Sequence, residues 1–201
     1  MDAWTIAGLW IVWTVYWFAA SRGTKPVLHR EGVAARLLHT LPYMLGLGLL
    51  ALPSGGQGVL LPAWMFHRFM PDTDEINTCG AVAVAAGLGF AVWARQHLAG
   101  NWSNLVVLRQ GHELITLGPY RLARHPIYSG ILLAVMGTAL ARNDVIGVLA
   151  TALVAAVVAD QIAAEERMLV TVFGEAYARY QLAVPALVPR LRPVRTLGRM
   201  P

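Results

Sequence analysis

Charge is what this chain has least of. Asp, Glu, Lys and Arg make up 13% of its 201 residues, and hydrophobic residues make up 57%. An ordinary soluble domain carries about a quarter charged residues, so a water-soluble fold this poor in charge could not cover its own surface. Cysteine is nearly absent as well: Cys79 stands alone, which excludes an intramolecular disulfide framework and a multi-cysteine metal site. A buried structural thiol is expected at that position. The first apolar run lacks the basic stretch of a secretory leader and is expected to be a membrane span.

What charge there is has a pattern. The 16 Lys and Arg outnumber the 11 Asp and Glu, but most basic residues lie in short segments between apolar runs. That distribution orients a membrane protein, and no nucleic-acid partner is expected.

Five apolar segments can be read as helices. Ala3 to Ala20, AWTIAGLWIVWTVYWFAA, is about 27 Å long as a helix, close to the roughly 30 Å of a hydrocarbon core. Leu37 to Leu52 contains His39 and Pro42, which neighbouring helices can accommodate. Asn77 to Leu98 is rich in Ala and Gly, the small residues that let membrane helices approach closely; Gly87 and Gly89 are read as a packing face. Ile127 to Ala141 and Val145 to Ala164 flank the polar triplet Arg142, Asn143, Asp144. So short a connection predicts a helical hairpin. The fold class is therefore all-α integral membrane, with about five transmembrane helices and no Rossmann domain. It is expected to be one domain over 1–201, with two N-terminal spans and a loop in 1–76 and a core in 77–201.

Five spans with the N-terminus outside place Arg22, Lys25, Arg30, Arg36, Arg95, Arg109, Arg121, Arg124, Arg167, Arg179, Arg190, Arg192, Arg195 and Arg199 inside. Arg68 and Arg142 alone remain outside. The asymmetry predicts a cytoplasmic C-terminus, with a bacterial inner membrane as the expected location. Between the second and third spans, VLLPAWMF is too short to cross and is broken by Pro62; it is expected to lie in the interface or plug the bundle. Asp72, Asp74 and Glu75 read as solvated loop charges.

Two polar segments on the inner side carry the chemistry. The first, Ala99 to Pro126, is AGNWSNLVVLRQGHELITLGPYRLARHP, long enough to suggest a functional connection. Gly118 and Pro119 predict a turn, and Pro126 suits the first turn of a helix. With Arg121, Arg124 and His125 just before it, this helix start reads either as an anion site or as arginines reaching lipid phosphates. The second segment holds Asp160, Gln161, Glu165, Glu166 and Arg167. A carboxylate at mid-membrane costs about 2.5–3.5 kcal/mol, so Asp160 and Arg167 are expected to form an internal ion pair. Adjacent Glu165 and Glu166 are not expected to share a neighbour, one binding something while the other faces solvent or a basic loop. Phe173, Tyr177 and Tyr180 recur at helical spacing and read as core, and Val184 to Pro189 stops the helix.

Taken together, AGNWS, HELITLGPYRLARHPIYSG and AAEERMLVTVFGEAYARYQLAVPALVP resemble the isoprenylcysteine carboxyl methyltransferase family and, more broadly, the membrane phospholipid methyltransferases. The resemblance covers about half the chain, from Arg95 to Pro189. It implies S-adenosylmethionine bound by His112, Leu114, Gly118, Tyr120, His125, Tyr128 and Glu165 or Glu166, and a lipophilic substrate arriving from the bilayer among membrane lipids. If the acceptor is a carboxylate, an arginine would orient it, with Arg95 and Arg124 as candidates. The alternatives are an NADPH-dependent sterol-type reductase, whose cofactor half looks similar, and a non-catalytic membrane scaffold. Of six histidines, only His39 and His97 lie within or beside spans, without partner spacing, so no metal is expected. The acceptor and the oligomeric state are not legible.

Overall fold

The structure, a computed structural model, describes residues 3–21, 33–98 and 114–190. Six α-helices occur among the described residues: α1 (Ala3–Ser21), α2 (Val33–Leu50), α3 (Asp74–Leu98), α4 (Pro126–Arg142), α5 (Val145–Phe173) and α6 (Glu175–Ala183). Two 3-10 turns, Ala63–Phe66 and Gly118–Arg121, complete them. The fold is all-helical, with no named strand among the described residues. Two helices, α3 and α5, are long and apolar enough to cross a membrane, and shorter apolar helices occupy Trp4–Ala20, Thr40–Leu50 and Pro126–Arg142.

Small residues set the closest contact, between α3 and α4. A Cβ on Gly80 would lie 2.7 Å from the Gly137 carbonyl, and one on Gly87 would lie 2.7 Å from the Ala134 amide. The reciprocal positions, Gly130 and Gly137, abut Ala91 and Ala83. Both glycine pairs are seven residues apart in sequence, which keeps each on one helix face and lines up two antiparallel backbones. Gly89, expected on that face, looks instead into open space, because it sits two residues from Gly87 and so on another side of the helix. Around this seam Ala91, Ile131, Val135, Val154, Val158 and Ile162 form the buried core, joined by Trp10, Trp13, Tyr43 and Leu47. The Trp10 indole donates to Thr138 Oγ1 at 3.0 Å, fixing α1 to α4.

The polar triplet does form a hairpin turn, but its side chains are buried. Asn143 ends α4 in the left-handed conformation, φ 56°, where a short polar residue is tolerated. Asp144 caps α5, accepting from the Gly147 amide at 2.8 Å, and pairs with Arg142 at 2.7 Å. Arg142 also donates to the Leu50 and Leu52 carbonyls. Asn143 pairs both ways with Met70, its Oδ1 accepting at 3.2 Å and its Nδ2 donating at 2.6 Å. Of the two expectations for the loop after α2, plugging the bundle is not what is found: the loop closes over the hairpin turn, with Phe66 buried against Gly56.

Three further expectations are corrected. Cys79 is exposed, not buried. Asp160 and Arg167 are both exposed, so neither is an internal charge. And the helical stretch that Val184 stops is not one piece: α5 carries both glutamates and runs to Phe173, and α6 takes over at Glu175. Gly174, φ 52°, then turns the chain into α6.

Candidate active site

At the end of the bundle opposite the hairpin turn, the α4 entry, the last turns of α5 and α6 converge. Pro126 is tolerated at the start of α4 because its missing N–H would have no helical partner there. His125 sits just before it and projects its ring between two glutamates. Its Nδ1 lies 3.4 Å from Glu165 and its Nε2 lies 3.2 Å from Glu166. Successive helical residues are about 100° apart, yet two long carboxylate side chains close on opposite edges of one imidazole. The expectation that they could not share a neighbour is thus corrected. Burial acts to lower the His125 pKa, but the hydrogen bonds and negative charges of Glu165 and Glu166 outweigh it and raise the value above the ordinary one. The arrangement favours the imidazolium, in which both nitrogens are donors.

The two glutamates differ in what else they hold. Glu166 accepts from Arg124 Nε at 2.8 Å, pairs with its Nη2 at 2.6 Å, and accepts from Gln181 Nε2 at 3.1 Å. Glu165 accepts from the Tyr128 hydroxyl at 2.6 Å, and its side chain keeps 21% exposure. Tyr120 is within electrostatic reach of both Glu165 and Arg95, and Tyr43 and Tyr120 lie near Tyr128. The surroundings of Glu165 are therefore rich in acceptors and aromatic rings.

The C-terminal segment fixes the α4 entry. The backbone amides of Arg124 and His125 donate to the Pro185 and Ala186 carbonyls at 2.8 and 2.9 Å, and Arg190 N donates to Leu122 O at 3.0 Å. Ser129 Oγ donates to Leu187 O. Arg124 Nη1 donates to the carbonyls of Gln181 and Val184. The amides of Arg124 and His125 are thus satisfied within the chain, and the Arg124 side chain is engaged by Glu166 and by carbonyls at the end of α6.

Of the other expected site residues, Leu114 packs on Tyr177 and Tyr180. Tyr120 is buried, and its carbonyl accepts from Tyr180 at 2.6 Å. Gly118 has φ 59°, and the ring of His97 covers the place a Cβ would take. Arg95 is buried and donates to the Ala20 carbonyl at 2.7 Å, at the C-terminal end of α1. His112 lies outside the described residues. The tyrosine stripe of α6 is core, as its spacing predicts: Tyr177 and Tyr180 are buried. Sequence reasoning missed Tyr43, Gln181 and the backbone contacts of the 184–190 strap. No local pattern announces them, because each acts on a partner far away in sequence.

A sequence profile of the phospholipid methyltransferase family matches residues 76–176. The chain belongs to that family. The matched range runs from the first turns of α3 into α6 and contains Arg124, His125, Tyr128, Glu165 and Glu166. The chain is 36% identical over 92 residues to an Arabidopsis thaliana protein named protein-S-isoprenylcysteine O-methyltransferase B, covering 44% of this chain and 47% of the relative. It is 32% identical over 92 residues to a protein-S-isoprenylcysteine O-methyltransferase of Schizosaccharomyces pombe, covering 44% and 39%. It is also 33% identical over 116 residues to a cobalt-zinc-cadmium resistance protein of Cupriavidus metallidurans, covering 57% and 49%. The chain spans about half the length, or less, of these relatives. The resemblance drawn from the RHP and EER segments is borne out, and the family's matched segment stops short of the strap that holds the α4 entry.

Proposed function

We propose that this protein is an integral membrane methyltransferase that uses S-adenosylmethionine to methylate a lipophilic acceptor, an isoprenylcysteine-like carboxylate being the acceptor class its relatives suggest. The observation that carries the reading is His125 clamped between Glu165 and Glu166 within the family-matched segment.

Five passes of the bundle support a five-span topology. The end of α1 meets Arg95 near the end of α3, and the end of α2 meets Arg142 at the end of α4, so successive helices alternate in direction. Large apolar side chains are exposed along the helices, among them Val15 and Phe18 on α1, Leu45 on α2, Val82 on α3, Met136 on α4 and Val148 on α5. An apolar surface that extensive favours lipid over water. The N-terminus then lies outside, and the site faces the cytoplasm, where the basic residues gather.

The residues around Glu165 fit the proposed cofactor, because a cation suits a wall of carboxylate and tyrosine oxygens. When bound, S-adenosylmethionine supplies an electrophilic methyl on a sulfonium, transferred by in-line displacement. Tyr128 and His125 hold Glu165 in place to receive a cationic group. Glu166 is already saturated by Arg124, His125 and Gln181 and acts as a bracket. Arg124 is then a positioning residue, since its donors are directed at Glu166 and at α6 carbonyls. Arg95, close to Tyr120, keeps the role of orienting an anionic acceptor. A carboxylate acceptor is ionised at neutral pH and needs no base, so positioning dominates the rate.

The test is a melting experiment on purified protein in detergent with S-adenosylhomocysteine, with NADPH, and with neither. Stabilisation by S-adenosylhomocysteine is expected. Stabilisation by NADPH alone would favour the reductase, and no response to either would favour a scaffold. Transfer of radiolabelled methyl into lipid and prenylcysteine extracts then identifies the acceptor class.

A further inference from the structure

At the end of the bundle opposite the active site, the loop from Pro53 to Thr73 faces outward with side chains that water does not favour. Leu60, Trp64 and Phe69 are 104%, 59% and 62% exposed, and Leu61 and Met70 extend the patch. This exposure is not that of a loose loop. Phe69 N donates to Asn143 O at 3.0 Å, Met70 is paired both ways with Asn143, and Phe66 is turned inward. One aromatic is folded in while its neighbours are held out.

The loop's depth is also fixed. It begins where α2 ends at Leu50, it ends where α3 begins at Asp74, and it covers the α4–α5 turn. Both helices long enough to span a membrane start beside it. The outward patch is therefore continuous with the apolar surface of the helices, represented at this end by Val82, Leu140 and Val148. Its polar neighbours are the Arg68–Asp72 ion pair and Asn77, which donates to Asp72. An apolar body with a polar margin, at the level where spans end, matches the zone between lipid headgroups and acyl chains, where aromatic residues concentrate.

We infer that this loop is a built lipid-contacting surface, seating Leu60, Trp64 and Phe69 in the headgroup–acyl boundary of the leaflet away from the active site. The inference rests on the reading of the bundle as membrane-spanning. It makes the loop an anchor that sets how deep the bundle sits, separate from the methyl-transfer chemistry.

The experiment uses full-length protein in phosphatidylcholine vesicles, with Cys79→Ser removing the one native thiol and a polarity-sensitive dye on Leu60→Cys or, separately, Trp64→Cys. Both positions are exposed, so the substitutions leave the packed core untouched. The expected result is blue-shifted emission, quenched by nitroxide lipids labelled near the headgroup more than by those labelled at the chain end, with aqueous iodide having little effect. Strong iodide quenching with no lipid quenching, in protein that floats with the vesicles, overturns the inference while leaving the membrane reading intact. Protection that disappears when protein is diluted in lipid overturns it in favour of a contact between copies. Protein that fails to float with vesicles overturns the membrane reading itself.

Discussion

His125 and its two glutamates divide a single ion cluster into parts with different duties. Glu165→Gln removes the less saturated carboxylate and is expected to weaken S-adenosylhomocysteine binding by about 1.5–3 kcal/mol, the worth of a hydrogen bond to a charged group, or about ten- to a hundredfold in Kd. Its melting temperature without ligand should change little. Glu166→Gln is expected to do the reverse, lowering the melting temperature first, because Arg124 loses its counter-charge and one of the two acceptor oxygens shared by Arg124 and Gln181 becomes a donor. Calorimetric binding and ligand-free melts on the same two preparations separate them; equal losses of affinity would refute the division. The imidazolium adds a pH signature. A group whose pKa is raised on folding contributes stability that is complete below its ordinary value, about 6.5, and that is lost as pH rises through the raised value. Wild type should lose melting temperature over that window relative to His125→Gln, and parallel pH profiles would show that the ring is not held charged. The chemical identities of these residues were legible in the sequence, but the sharing of one histidine was not. Adjacent positions on a helix diverge at the backbone, and only the length of glutamate side chains lets them converge.

Helix existence followed from apolar runs, so five long elements and the hairpin were readable from composition and spacing. Their faces were less so. Gly87 and Gly89 looked alike in sequence, yet one meets a backbone and the other nothing. Gly87→Ala must part α3 and α4 and is expected to cost about 1–3 kcal/mol, as overpacking does. Gly89→Ala is expected to be neutral or stabilising by up to about 1 kcal/mol, through relief of glycine's entropic cost. Thermal denaturation of the two variants in one detergent checks the contrast, and similar destabilisation by both would contradict the seam. The helical spacing of Phe173, Tyr177 and Tyr180 reads straight across Gly174, so the break between α5 and α6 was not legible. Hydrogen-bonded helix continues through charged residues as readily as through apolar ones, until Gly174 reverses the backbone. The strap of 184–190 was invisible for another reason: it works through carbonyl groups, which every residue possesses, so no side-chain pattern marks it.

Across the whole molecule the direction of each pass can be tested by labelling. Single cysteines introduced at Gln57 and at Arg190, each in a Cys79→Ser background, should react with an impermeant thiol reagent from opposite sides of intact cells or oriented vesicles, Gln57 from outside. Reaction of both from one side would overturn the topology. The expectation rests on charge asymmetry between segments, a signal that survives errors of several residues at each helix end. What it could not reveal was how differently the two ends are closed. At the hairpin end, Arg142, Asn143 and Asp144 are buried and tied to the loop and to α2. At the other end, among the described residues, non-covalent ties hold the α4 entry: the 184–190 strap and the contacts of Arg124, His125 and Tyr128 with α5 and α6. The bundle has the mechanics of a tuning fork, stem at the hairpin turn and tines at the chemistry. On the proposed function, a small splay of the tines would admit the cofactor or release a methylated product while the buried stem stays still.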